Sequence, residues 1–243
     1  MYGNSSTILY LTSSALPISR WTAVSTDEKL LNHLLLLFWT WDTLVNRVID
    51  RTLFEDALKH MDPSDQEGLR FCSPFLVNAL LALACVSTFH WRQCGMMLIF
   101  DQLYTTQNAT FYTPNDPVTR GAAFAREAER LLILEQEIPS LPVAQGLAAL
   151  YVYEGNLGKL PMLLRYGNYF YRAHEKLEWD TWLQHGNEST DRHQDITIRQ
   201  GVSRIQWGFY VCEWYGLMWQ TPAVRVLTRP LGSLYTHTVA ANR

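Results

Sequence analysis

The sequence has 243 residues, of which 48% are hydrophobic and 18% charged, and its formal net charge is -3. This composition is typical of a folded chain, and it excludes disordered, collagen-like and low-complexity classes. Binding nucleic acid through its phosphates needs an excess or a stripe of basic residues, and 20 Lys and Arg against 23 Asp and Glu provide neither. We therefore expect no DNA contact by this chain itself.

Two four-residue patterns predict where the first helices begin. Residues 25–28 fit a capping box ahead of the leucine-rich segment 30–41. Residues 52–55 repeat the pattern before a shorter helix, which is expected to end near Met61. Residues 1–25 are expected to form an N-terminal tail.

The uncharged stretch 71–91 is nominally long enough to span a bilayer. Polar residues and a proline interrupt it, however, and leave a continuous apolar run only at 79–86. Ser73 followed by Pro74 is a strong start signal, because Ser accepts a backbone N–H and Pro suits the first turn. The sequence therefore predicts a buried core helix from 74 to about 89, and not a transmembrane span.

The remaining segments also have helical or loop character. No stretch shows the alternation of period two that is typical of strands. The fold class is therefore predicted as all-α, a multi-helix bundle with irregular loops. The expected segments are a short helix at 91–104, a loop at 105–117, an amphipathic surface helix at 121–137, helices at 143–154 and 162–179, an exposed loop at 184–197 and a last helix at 198–220.

The four cysteines, Cys72, Cys85, Cys94 and Cys212, contain no CxxC pair and lie mostly in apolar segments. Buried thiols in a reducing compartment are the expected state. With His90, the first three supply four candidate zinc ligands. Cys72 and Cys85, however, lie about 20 Å apart along one predicted helix, at a rise of about 1.5 Å per residue. We therefore expect no metal site and no cofactor in this chain.

The motifs of this sequence that resemble known catalytic or phosphate-binding motifs are incomplete. The segment 155–159, GNLGK, resembles the end of a P-loop, but its glycines are too close together and Leu160 replaces the Ser or Thr. A helix C-cap is the interpretation that fits. His174 and Glu175 lack the second His of HExxH, and no GxSxG occurs. The sequence predicts no catalytic, cofactor-binding, DNA-binding or metal-binding residue, and the chain is not expected to be an enzyme.

Aromatic residues are abundant, with nine Trp, 12 Tyr and 10 Phe, and they cluster at 166–182 and 207–219. Two aromatic helices can form the wall of a cavity for an apolar or planar ligand. The alternative is ordinary packing in a core or an interface. The sequence leaves both interpretations open.

Five segments follow one another in a recognisable order: LLNHLLLLFWTW with VIDRTLFEDAL, FCSPFLVNALLALACV, GAAFAREAERLLILEQE, EIPSLPVAQGLAALYVYEGNLGK, and SRIQWGFYVCEWYGLMWQTPAV. In this order and spacing, over roughly residues 27–227, they resemble the middle homology region of fungal binuclear zinc-cluster transcription factors. That region is also called the xylanolytic-activator-type regulatory domain.

The resemblance implies a nuclear protein in which this all-α domain modulates transcription by RNA polymerase II. The expected partners are the transcription machinery or a related transcription factor, with a small-molecule effector as a further candidate and no membrane. The family's six-cysteine cluster, basic linker and coiled coil do not occur in these 243 residues. Zinc and DNA contacts are therefore implied only for a missing N-terminal cluster.

The resemblance leaves two roles open. Residues 26–243 are expected to be a regulatory domain that is incomplete at its C-terminus, from a fragment, a truncated gene model or a paralogue without the cluster. The alternative is a stand-alone interaction protein that pairs with an intact relative and does not bind DNA.

Overall fold

The computed structural model describes residues 15–64, 71–92, 113, 116, 119–135, 140–177, 179 and 192–219. Most of these residues are helical. Those residues contain seven α-helices, two 3-10 helices and no strand, which confirms the all-α prediction. Short 3-10 helices at Ile18–Trp21 and Val45–Arg47 precede the first two α-helices. The α-helices are α1 (Glu28–Trp41), α2 (Arg51–His60), α3 (Pro74–Arg92), α4 (Ala122–Glu135), α5 (Leu141–Asn156), α6 (Leu160–Glu175) and α7 (Arg192–Trp219).

The central element is α3, which packs against α1, α4 and α5. Every side chain from 75 to 86 is at most 3% exposed. The predicted start is confirmed: Ser73 Oγ accepts the backbone N–H of Leu76 at 3.2 Å, and Pro74 opens the helix. None of the helices in the described ranges is long and apolar enough to cross a membrane. Residues 75–86 of the uncharged stretch therefore form a buried core helix, as the sequence predicts.

The capping box predicted at 25–28 is wrong in its partners. Asp27 is the N-cap of α1, and its carboxylate accepts the backbone N–H of Leu30 at 3.1 Å. The carboxylate of Glu28 accepts instead from the backbone N–H of Ser19 at 3.1 Å and from its hydroxyl at 2.6 Å. Asp27 directly precedes the first residue of α1, and from that position its side chain can accept from the amides of the first turn. Glu28 is left to satisfy donors of the first 3-10 helix.

The capping box predicted at 52–55 is also wrong in its cap residue. The N-cap of α2 is Asp50, whose carboxylate accepts the backbone N–H of Leu53 at 3.1 Å. The other oxygen of Asp50 pairs with the guanidinium of Arg204 on α7 at 3.1 Å. One buried carboxylate therefore both begins α2 and holds α7 against it.

Part of the predicted N-terminal tail packs onto the helices. Ile18 and Trp21 are buried, and the indole N–H of Trp21 donates to the carbonyl oxygen of Leu58 at 3.1 Å. The hydroxyl of Thr22 donates to the side-chain oxygen of Asn78 on α3 at 2.7 Å. These contacts join residues 18–22 to the core, and the domain boundary at residue 25 stays a prediction.

The surface helix predicted at 121–137 is confirmed as α4. Phe124, Ala128 and Leu132 form its buried face, while Arg126 and Arg130 are exposed on the other side. This division is that of an amphipathic helix with one solvated side.

The second half of the bundle pairs α5 with α6, and α7 contacts α2 and the Val45–Arg47 helix. The predicted loop at 184–197 is wrong in its last part, because α7 begins at Arg192. Polar residues indicate an exposed segment, but they do not prevent a helix. The side chain of Ile196, in this part of α7, is 48% exposed. The predicted short helix at 91–104 lies outside the described residues except for its first two, which end α3. Most of the predicted loop at 105–117 also lies outside them.

Candidate functional site

Two of the cysteines considered as candidate zinc ligands, Cys72 and Cys85, lie at different positions along the chain around α3. Cys72 precedes the helix and Cys85 lies well inside it, and both are fully buried. Burial raises the pKa of the Cys85 thiol to about 12, although nearby Arg120 opposes the shift, and burial also raises the pKa of Cys72. Both are neutral thiols, whereas zinc binds the thiolate. Cys94 and the side chain of His90 lie outside the described residues, in which no three His, Cys, Asp or Glu form a metal-binding group.

A metal-binding test follows for the whole chain. We expect the melting temperature to stay unchanged when zinc or a chelator is added, because a structural zinc site would contribute folding free energy. Thermal unfolding followed by circular dichroism measures this, with magnesium chloride at equal ionic strength as the control. A lower melting temperature with the chelator would show that cysteines of this chain bind a metal.

The GNLGK segment is the end of α5, as predicted. Gly158 has a positive φ of 70°, and the backbone N–H of Lys159 donates to the carbonyl oxygen of Glu154 at 3.0 Å. This closes the last turn of a helix. A P-loop would follow a strand, and the element before this turn is α5.

Aromatic side chains from both predicted clusters stack between α6 and α7. The ring of Phe209 lies parallel to that of His174, with centroids 4.8 Å apart, and to that of Phe170, at 5.6 Å. Trp179 meets Phe209 edge to face at 5.6 Å. These contacts match the packing interpretation, and they place His174 in an aromatic stack. Trp207, in contrast, is 66% exposed.

Phe170 and Tyr171, from the first of the two aromatic clusters, line a cavity of about 440 Å³. It lies between α5, α6, the start of the Val45–Arg47 helix and α7. The volume falls within the range of ligand pockets, roughly 300–1,000 Å³. None of the described residues that line it is charged: they are Leu44, Val45, Ala148, Tyr151, Val152, Gly155, Asn156, Leu163, Gly167, Phe170, Tyr171 and Cys212.

The lining of the cavity is buried at one end and exposed at the other. Val45, Ala148 and Phe170 line it and are almost fully buried. Gly155 and Asn156, at the C-terminal end of α5, line it and are exposed. A molecule that enters past these two residues would therefore move from solvent into apolar surroundings.

Few polar groups line the cavity. Burial raises the pKa of the Tyr151 hydroxyl, so this group stays protonated and can donate a hydrogen bond. The thiol of Cys212 donates to the carbonyl oxygen of Leu44 at 3.6 Å, which joins α7 to the segment before the second 3-10 helix. Such a lining can bind and orient an uncharged molecule.

Two glycines let α5 and α6 come close beside the cavity. A Cβ atom at Gly167 would lie 3.1 Å from the ring of Tyr151, and one at Gly155 would lie 2.8 Å from the side chain of Leu163. A larger residue at either position would push a lining side chain into the cavity or separate the helices. The sequence indicates two aromatic helices but not these positions.

A second cluster of ionisable groups lies away from the cavity. The hydroxyl of Tyr166 donates to the Glu129 carboxylate at 2.6 Å, which joins α6 to α4. The buried Glu154 carboxylate lies 3.5 Å from the Lys159 ammonium group, and burial raises the pKa of Glu154 in spite of that charge. These groups pair with each other across helices, and none of them lines the cavity.

Three fungal transcription factors are similar to this chain. It is 32% identical over 146 residues to the nitrogen assimilation transcription factor nit-4 of Neurospora crassa. It is 32% identical over 145 residues to the notoamide biosynthesis transcriptional activator notL' of Aspergillus versicolor, and 28% identical over 144 residues to the nitrogen assimilation transcription factor nirA of Emericella nidulans.

The matched segments are 59%, 60% and 58% of this chain, but only 12%, 19% and 14% of nit-4, notL' and nirA. The chain therefore matches less than a fifth of each relative. No protein-family model matches it. No solved structure matches it either. The relatives are transcription factors, and they confirm the resemblance to fungal zinc-cluster transcription factors.

Proposed function

We propose that this chain, a homologue of part of the fungal zinc-cluster transcription factors, is a regulatory domain that restrains transcriptional activation by RNA polymerase II in the nucleus. The observation that carries the proposal is the similarity of about 60% of the chain to segments of three fungal transcription factors. The domain acts on other parts of a transcription factor, or on a related factor, and does not itself contact DNA.

The physical character of the chain supports this role. Its net charge of -3 gives no general attraction to phosphates. The cavity between α5, α6 and α7 supports a response to a small-molecule effector, because it is open to solvent at one end and is lined by uncharged side chains. The effector would change the domain's restraint on activation by stabilising one arrangement of these helices.

The test is a reporter chimera in a fungal host. The 243-residue chain is inserted between an unrelated DNA-binding domain and an unrelated activation domain, and a flexible linker of equal length replaces it in the control. We expect severalfold lower reporter output with the chain at equal protein level. Equal output from the two chimeras would contradict the proposal.

A further inference from the structure

We infer that the cavity between α5, α6 and α7 is a binding site for a small, uncharged, largely apolar molecule with an aromatic or similarly planar core. The inference deepens the proposed effector response, and it rests on the proposed function for its consequence in transcription. Binding itself is a property of the chain and can be measured without a reporter.

The absence of charge from the described lining defines the ligand class. A carboxylate, phosphate or ammonium group would lose its hydration at the inner end, beside Val45, Ala148 and Phe170, without an ion-pair partner there. For an apolar molecule, in contrast, moving its surface from water into an apolar cavity is itself favourable. Cavities lined by apolar side chains can accept apolar molecules.

The aromatic and polar groups of the lining indicate the shape of the ligand and the place of its polar group. Tyr151 and Phe170 present rings, which favour a planar partner through stacked or edge-to-face contacts. The Tyr151 hydroxyl and the Asn156 amide are polar side-chain groups of lining residues, and they suit one hydrogen-bonding group on the ligand. The ligand therefore has an apolar body and at most a small polar end.

Through Cys212, a molecule bound in the cavity would contact α7. The thiol of Cys212 lines the cavity and also donates to the carbonyl oxygen of Leu44. Phe170, on the α6 side, stacks on Phe209 of α7. A bound molecule would therefore contact side chains of α5, α6 and α7 together, and it would hold α7 in place.

The first experiment is a titration of the chain with N-phenyl-1-naphthylamine, a neutral probe that fluoresces in apolar surroundings. Its sulfonated analogue, 8-anilinonaphthalene-1-sulfonate, has the same rings and one negative charge. We expect saturable binding of one neutral probe per chain, and binding of the sulfonate that is weaker by about tenfold or more. Failure of the neutral probe to bind, or equal affinity for both, would overturn the inference.

Two matched variants locate the site. Val152 is half-buried and lines the cavity, so Val152→Phe fills part of the space. Val24 is also half-buried but lies near the start of α1, outside the cavity lining, so Val24→Phe is the control. With both variants folded, we expect Val152→Phe to weaken probe binding at least tenfold and Val24→Phe to leave it unchanged. Equal loss or equal retention in the two variants would contradict this site.

Alkylation of Cys212 by iodoacetamide gives a second measure of occupancy. Cys72 and Cys85 are fully buried, whereas Cys212 is half-buried at the cavity. We expect the neutral probe to slow alkylation of Cys212, followed by mass spectrometry of its peptide, and an unchanged rate would contradict the inference. These results are independent of the reporter, so a failed site and a failed regulatory role can be told apart.

Discussion

Leu80→Asp is expected to unfold the chain. Leu80 lies in the middle of α3 and is 1% exposed, among side chains from α1, α4 and α5. An aspartate there would be a buried charge without a partner, at a cost of about several kcal/mol, and the total stability of a domain is only about 5–15 kcal/mol. Far-ultraviolet circular dichroism and urea denaturation at neutral pH measure the effect.

The matched control is Leu134→Asp on α4. Leu134 is 63% exposed, so the same change there should alter the free energy of unfolding by less than about 0.5 kcal/mol. A folded Leu80→Asp chain with the stability of the wild type would mean that α3 is not the centre of the bundle.

Gly208→Ala is expected to destabilise the packing of α7. An alanine within a helix ordinarily stabilises it by about 1 kcal/mol relative to glycine. At position 208, however, the added methyl group would overlap the backbone carbonyl oxygen of Arg47 in the second 3-10 helix. Backbone atoms do not rotate aside, and overpacking costs about 1–3 kcal/mol. After the helix-propensity gain is subtracted, we expect a net loss of about 1 kcal/mol, the opposite sign from the helix propensity alone.

Urea denaturation measures that loss, and amide hydrogen exchange shows where it acts. The substitution should increase the amide exchange rate more in α7 than in α3, because α7 contacts the Val45–Arg47 helix directly. Ser203→Ala, at an exposed position of the same helix, is the control and should not destabilise the chain. Unchanged or higher stability in Gly208→Ala would show that α7 does not approach Arg47 as described.

The core of the bundle could be predicted because local signals and burial agree there. In α3, the start signal at Ser73 and Pro74 precedes a run of residues without charge, and the structure buries that run. In α4, the spacing of Phe124, Ala128 and Leu132 marks the buried face directly. These features are local in the sequence, so they can be recognised without the rest of the fold.

The caps and the cavity depend on distant contacts and could not be predicted in the same way. Asp50, and not Thr52, is the N-cap of α2, and its carboxylate also pairs with Arg204, which lies far away in the sequence. The cavity requires Leu44, Tyr151 and Cys212 to meet across α5 and α7. The abundance of aromatic residues indicated the region, but only tertiary packing brings the lining residues together.

The most direct test of the regulatory role is the output of the reporter chimera with four versions of the chain. Wild-type and Val24→Phe chains should restrain the reporter equally, and Leu80→Asp should release it to the level of the linker control. Val152→Phe should stay folded but shift the output away from that of the wild type. Equal output from all four versions would contradict a regulatory role for the folded domain.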